Sequence, residues 1–206
     1  MTEPYPGTRS VSGLFAATIL RVEQPRRLPA AKSQYTIYDG PGTLVAKASE
    51  ENVSIRRQAA RVFWGGVGDS ARTVRVTDPQ GAPLLIVDKP KRSQNAAVYA
   101  PDGSLIGAYQ QQRHTFHYGL LDAAGLRIGD LKGNRLGRKF AVHDAYGAHV
   151  AQVDKKWAGV GKEVLTTADR YAVAIYRPLA YPLHCLVVAA AIAMDLIHYE
   201  EKDYFS

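Results

Sequence analysis

The chain is poor in most of the features that announce a function. It holds one cysteine, Cys185, in 206 residues, which excludes an internal disulfide framework and any zinc site built from several thiolates, and which favours a reducing compartment. Acids are outnumbered, 19 Asp+Glu against 26 Lys+Arg, for a net charge of +7. That excess favours an anionic partner but does not choose between lipid headgroups and nucleic acid. Long apolar runs are missing: the longest, Cys185 to Met194, is ten residues, where a membrane span needs about 20. The N-terminus lacks the basic segment of a secretory signal, and the run Leu14 to Leu20 is short and interrupted by Thr18, so no export signal is expected. G-x-S-x-G, H-E-x-x-H and Walker loops are absent, which leaves an enzyme the least supported class and gives no reason to expect a cofactor.

What is present describes a folded protein. A composition of 46% hydrophobic and 22% charged residues excludes wholesale disorder and a polytopic membrane protein. Residues 1–13, rich in Pro, Gly, Ser and Thr, read as a flexible tail, and 14–206 as one domain. Leu14 to Val22 is apolar and partly β-branched and reads as a first strand.

A short unit then recurs. Asp39-Gly-Pro-Gly42, Asp78-Pro-Gln-Gly81, Asp122-Ala-Ala-Gly125 and Asp144-Ala-Tyr-Gly147 share Asp at the first position and Gly at the fourth, with Pro101-Asp102-Gly103 between the second and third. An Asp carboxylate accepts the backbone N–H two residues ahead, and Gly tolerates the positive φ that closes such a turn. The flanks, YTIYD and TLVAKA, TVRVTD and PLLIVD, FAVHD and AHVAQVD, have the composition of strands. Regular spacing of such hairpins predicts an antiparallel meander.

The last element is different in kind. CLVVAAAIAM, extended by Leu183, Leu196 and Ile197 and preceded by Pro182, predicts a helix that is apolar all round. At about 18 residues it would be about 27 Å long, the length of an eight-residue strand. A barrel wrapped around it would bury the helix and remove the sheet edges together. Asp195 sits badly at the C-terminal end of this helix, where the dipole disfavours an anion. It is expected either to emerge at the barrel mouth or to pair with a Lys or Arg from a neighbouring strand.

Other patterns carry less. Gly66-Val-Gly68-Asp-Ser-Ala71, with Asp88 beyond it, resembles a dinucleotide fingerprint, but a strand pattern follows where a helix would have to begin, so it reads as a Gly-rich loop. If Asp144 to Gly147 form a four-residue loop, His149 lies opposite Val142 and His143 faces the other way, and the two cannot share an ion. His114 and His117 also diverge, so no metal site is expected. His184 and Cys185 point about 100° apart on a helix and form no catalytic pair. Basic residues gather in LRIGDLKGNRLGRKF, with Arg127, Lys132, Arg135, Arg138 and Lys139 against Asp130, and continue in Lys155, Lys156 and Lys162. Few aromatics interleave with them, which argues against nucleic acid.

The order of these pieces, a D-x-x-G meander, then KKWAGVGKE (Lys155 to Glu163), ADRY (Ala168 to Tyr171) and an apolar helix ending AMDLIHYEE, resembles the phospholipid scramblase and LURP-one-related group of the Tubby C-terminal-like superfamily, over about Leu20 to Glu201. The resemblance implies a mainly β fold, a closed antiparallel meander barrel of about twelve strands around a central C-terminal hydrophobic helix. It implies a non-enzymatic protein that binds anionic phospholipid, or another amphiphilic ligand, peripherally at the cytoplasmic face of a membrane, with the eight basic residues Arg127 to Lys162 as the lipid-binding patch. Each cation near an anionic surface contributes about 1 kcal/mol, screened by salt. A protein-interaction module without lipid activity and a membrane-inserted scramblase are the alternatives. Calcium regulation does not carry over, because Asp169 is the only carboxylate from Ala168 to Cys185 and calcium takes about six to eight oxygens. The Pro-rich arm and lipidated cysteines of the eukaryotic relatives are missing as well.

Overall fold

The computed structural model describes residues 13–24, 34–51, 70–91, 93–113, 116–155 and 169–203. A single helical turn, α1 (Gly13–Ala16), leads into β1 (Ile19–Gln24), β2 (Gln34–Asp39), β3 (Leu44–Glu51) and β4 (Ser70–Thr77). There follow β5 (Pro83–Pro90), β6 (Ala96–Tyr99), β7 (Leu105–Gln111) and β8 (His117–Asp122). The last strands are β9 (Arg127–Gly133), β10 (Lys139–Asp144), β11 (His149–Lys155) and β12 (Asp169–Ile175), and the chain ends in α2 (Leu183–Asp203). Each strand pairs antiparallel with its sequence neighbours, and β1 pairs with β12 to close a twelve-stranded barrel. Closure gives every described strand a neighbour on both sides.

Five of the hairpins are made the same way. In each, the first turn residue donates its N–H to the carbonyl four residues ahead and the glycine donates back, as in Asp144 to Ala148 (3.0 Å) and Gly147 to Asp144 (3.0 Å). The glycines of all five, Gly42, Gly81, Gly103, Gly125 and Gly147, have positive φ between 81° and 101°. In four of them the Asp Oδ1 also accepts two N–H groups of the turn, as from Tyr146 and Ala148. In the hairpin that opens on Ala100, Asp102 takes over this role by accepting from Ser104. The left-handed glycine inserts one residue into the ladder, a β-bulge. The pairs flanking the turns are therefore Tyr38–Leu44, Thr77–Pro83, Tyr99–Leu105, Leu121–Arg127 and His143–His149.

That bulge overturns one sequence expectation. His149 does not lie opposite Val142; it faces His143, and the two rings stack with centroids 5.4 Å apart on the outside of the barrel. The first strand is also shorter than its apolar composition predicts. Leu14 belongs to α1, where it is fully buried, and the strand begins at Ile19.

Alternation along the strands sends one side chain in two to the axis. Leu20 and Val22, Ile37, Val74 and Val76, Leu85 and Val87, Val98, Leu120, Leu131, Val142, Val153 and Val173 are buried around α2, as is every residue of the helix from Cys185 to Ile197. The apolar helix is the barrel's core. Tyr109 donates its hydroxyl to the Leu186 carbonyl. Among the described residues no helix is long and apolar enough to cross a membrane.

The two ends of the barrel are built differently. Even-numbered strands run toward the five bulged turns, and α2 starts at that end, where Phe15 of α1 meets His184 edge-on at 5.9 Å. It finishes at the other end, where strands with odd numbers stop. We call these the turn end and the polar end.

Candidate functional site

At the polar end the inward positions change character. The strand phases that carry Ile37, Ala48, Val74, Val87, Val153 and Val173 to the core carry Tyr35, Glu50, Arg72, Lys89, Lys155 and Tyr171 to the mouth one step further along. Three of them, Tyr35, Tyr171 and Lys155, reach Asp195, which is 3% exposed. Tyr35 donates its hydroxyl to Asp195 Oδ2 at 2.8 Å, Tyr171 donates to Oδ1 at 3.2 Å, and Lys155 Nζ lies 4.0 Å from Oδ1. The Lys155 ammonium also sits 5.2 Å from the centre of the Tyr171 ring. Of the two fates expected for Asp195, pairing with a cation from a neighbouring strand is the one found, joined by the hydroxyls of Tyr171, which closes the ADRY motif, and of Tyr35, which no sequence pattern marked.

A second ion pair lies beside the first. Arg72 binds Glu50 through Nε (3.1 Å) and Nη2 (2.8 Å), a bidentate geometry that is stronger than a single contact. Burial opposes the Arg72 charge, but Glu50, with Tyr35 and Asp195 behind it, leaves the guanidinium pKa raised. Lys89, fully buried, donates to the Pro90 carbonyl at 3.2 Å. One turn past Asp195, His198 packs against Phe116 (5.2 Å), Tyr118 (6.3 Å) and Phe140 (5.9 Å). Burial, with help from the Lys155 charge, pushes its pKa down to about 4. His198 is therefore neutral at pH 7. The layer pins the end of α2 to five strands, β2, β8, β10, β11 and β12.

On the outside of the same end, the β9–β10 hairpin presents exposed cations. Asn134 closes its turn: the Asn134 carbonyl accepts the Gly137 N–H (2.9 Å), and Oδ1 accepts those of Arg138 (3.0 Å) and Lys139 (3.3 Å). Lys132, Arg135, Arg138 and Lys139 are all exposed, and among the described residues none has an ion-pair partner. The turn rests on Phe116, whose carbonyl accepts the Gly133 N–H at 2.6 Å. A Cβ on Gly133 or Gly137 would come within 2.6 or 2.8 Å of Phe116, so the hairpin's close seat on the barrel depends on both glycines.

The structure does not gather the whole basic patch read from the sequence. It brings together Lys132, Arg135, Arg138 and Lys139. Arg127 lies toward the turn end, bound to Asp130, which His117 also approaches at 3.3 Å. Burial acts to raise the Asp130 pKa, but Arg127 overrides it and the carboxyl is held low. Lys155 is not on the outer surface at all; it turns inward to Asp195, because position 155 shares the inward phase of Ala151 and Val153. Lys156 and Lys162 lie outside the described residues, as do Gly66, Gly68, His114 and Trp157. The residues after the Gly-rich segment form β4, a strand, which leaves no dinucleotide-type helix there.

Nothing among the described residues assembles a metal centre of three or more His, Cys, Asp or Glu. The stacked His143 and His149 stand beside Tyr176 (5.1 Å), and His143 is held below the ordinary histidine range by burial, then by the Lys132 and His149 charges. Cys185 is buried and its thiol is pushed up to about 12 by desolvation, which leaves it inert as a nucleophile.

Two comparisons identify the class. The chain matches the Scramblase family over residues 30–201, most of its length, and it belongs to that family. Its fold is similar to that of a protein of Arabidopsis thaliana known from an X-ray structure, with a TM-score of 0.54 and 16% identity, covering 92% of this chain and 99% of the other. At that identity the likeness establishes the closed barrel around a helix and nothing more. No curated protein matches the sequence significantly.

Proposed function

We propose that this Scramblase-family barrel binds anionic phospholipid headgroups peripherally, through the exposed β9–β10 hairpin, and that it does so without covalent chemistry. The observation that carries the reading is the cluster of Lys132, Arg135, Arg138 and Lys139, all exposed and none with an ion-pair partner among the described residues, on one rigid turn. Four cations at an anionic surface are worth about 4 kcal/mol before salt screening, enough for reversible attachment. Arg127 and Lys155, engaged with carboxylates, stand apart from it. The working site is the cytoplasmic face of a membrane, where the anionic lipids lie. Flotation with phosphatidylcholine vesicles, with and without phosphatidylserine, at low and high salt tests the reading. Salt-sensitive preference for the anionic vesicles is expected, and equal flotation with both would sink it.

A second reading, a protein-interaction module, draws on the turn end, where Tyr146 is 96% and Leu126 67% exposed. Capture of a stoichiometric partner that is lost in a Tyr146→Ser, Leu126→Ser variant, without any vesicle binding, would favour it.

A further inference from the structure

The cationic turn carries one apolar side chain at its tip. Leu136 is 69% exposed, between Arg135 and Arg138, and its own turn contains no carboxylate. An exposed leucine singly placed needs no explanation. This one differs in its surroundings and in its support.

We infer that Leu136 is an apolar wedge, entering the boundary between headgroups and acyl chains of an anionic bilayer while Arg135, Arg138 and Lys139 hold the phosphates above it. The inference rests on the headgroup-binding reading and adds a depth to it. Three features of the turn favour a bilayer as the occupant. The cations within three residues of Leu136 complement an anionic plane, and their long stems let the charges stay at headgroup level while the leucine descends. The N–H groups of Gly137, Arg138 and Lys139 are already bonded to Asn134, so lowering the tip out of water strips few unpaired donors. The turn is also braced, since Gly137 packs on Phe116 and Phe116 on His198 of the core helix. A stiff tip loses little conformational freedom on insertion.

The two contributions separate experimentally, because phosphate contacts respond to salt and apolar burial does not. Partitioning of the full chain onto phosphatidylserine-containing vesicles would be measured at two salt concentrations for the parent, Leu136→Ser and the double variant Arg135→Gln, Arg138→Gln. Leu136→Ser is expected to weaken partitioning about tenfold, the loss of one buried leucine side chain, with the salt dependence unchanged. The double variant is expected to flatten the salt dependence. A Leu136→Cys protein carrying an environment-sensitive fluorophore, which the buried Cys185 does not compete for, is expected to shift to the blue on these vesicles. If the double variant loses binding while Leu136→Ser binds like the parent, or if the fluorophore does not shift, the wedge is wrong and the headgroup reading stands. If the parent shows no preference for anionic vesicles, both fall.

Discussion

The two ends of this barrel solve the same problem, ending a sheet around a helix, by opposite means. The turn end repeats one local device five times, and each hydrogen bond of the device spans no more than four residues of chain. At the polar end the interactions are between distant segments: Tyr35 meets Asp195 across 160 positions and Arg72 meets Glu50 across 22. A local device can fail alone. A network of buried, mutually dependent charges fails as a unit, because removing one member leaves the others desolvated and unpaired.

The comparison can be broken most sharply at Asp195. Asp195→Ala removes the acceptor shared by Tyr35 and Tyr171 and the carboxylate facing Lys155, and is expected to cost about 3–5 kcal/mol in urea unfolding. Replacing the cluster together, Asp195→Leu with Lys155→Met, Tyr35→Phe and Tyr171→Phe, is expected to recover a large part of that loss; no recovery would mean that the layer contributes more than mutual satisfaction. Next in size is an acid effect. The fold keeps His198 neutral, with a pKa of about 4 against an ordinary 6.5, so between these values the unfolded chain takes up a proton that the folded chain refuses. Stability from this group is therefore full above pH 6.5 and drains away as pH falls toward 4, by about 3 kcal/mol. His198→Phe, in a niche already lined by Phe116, Tyr118 and Phe140, should flatten the stability profile over that window. The smallest effect belongs to the turn end. A Cβ on Gly147 meets nothing within 4 Å, so Gly147→Ala costs only the left-handed backbone strain, about 1–2 kcal/mol, and unfolding should remain a single transition.

The difference between the ends also explains what was legible from the chain. The D-x-x-G turns could be read because both partners of each bond lie in the same few residues. His143 and His149 show the limit even there: the turn is recognisable in the sequence, but the extra residue of its bulge is not, and that residue brings the histidines to one face. Composition groups Lys155 with its sequence neighbours as a surface cation, although its strand phase, shared with Ala151 and Val153, directs it inward. The basic hairpin is legible as composition, whereas the importance of Leu136 lies in its exposure at a braced tip, which composition does not carry.

The sequence by itself determined the meander, the five turns and the helix that had to be enclosed, since each follows from short-range backbone preference or from an apolar run that water will not tolerate. Tertiary structure alone decided that Asp195 is held by Tyr35, Tyr171 and Lys155, and that four of the predicted cations share a surface while two others are spent on carboxylates. Those outcomes depend on barrel closure, which sets the register of strands far apart in the chain and so selects which charges meet in the interior and which remain facing water.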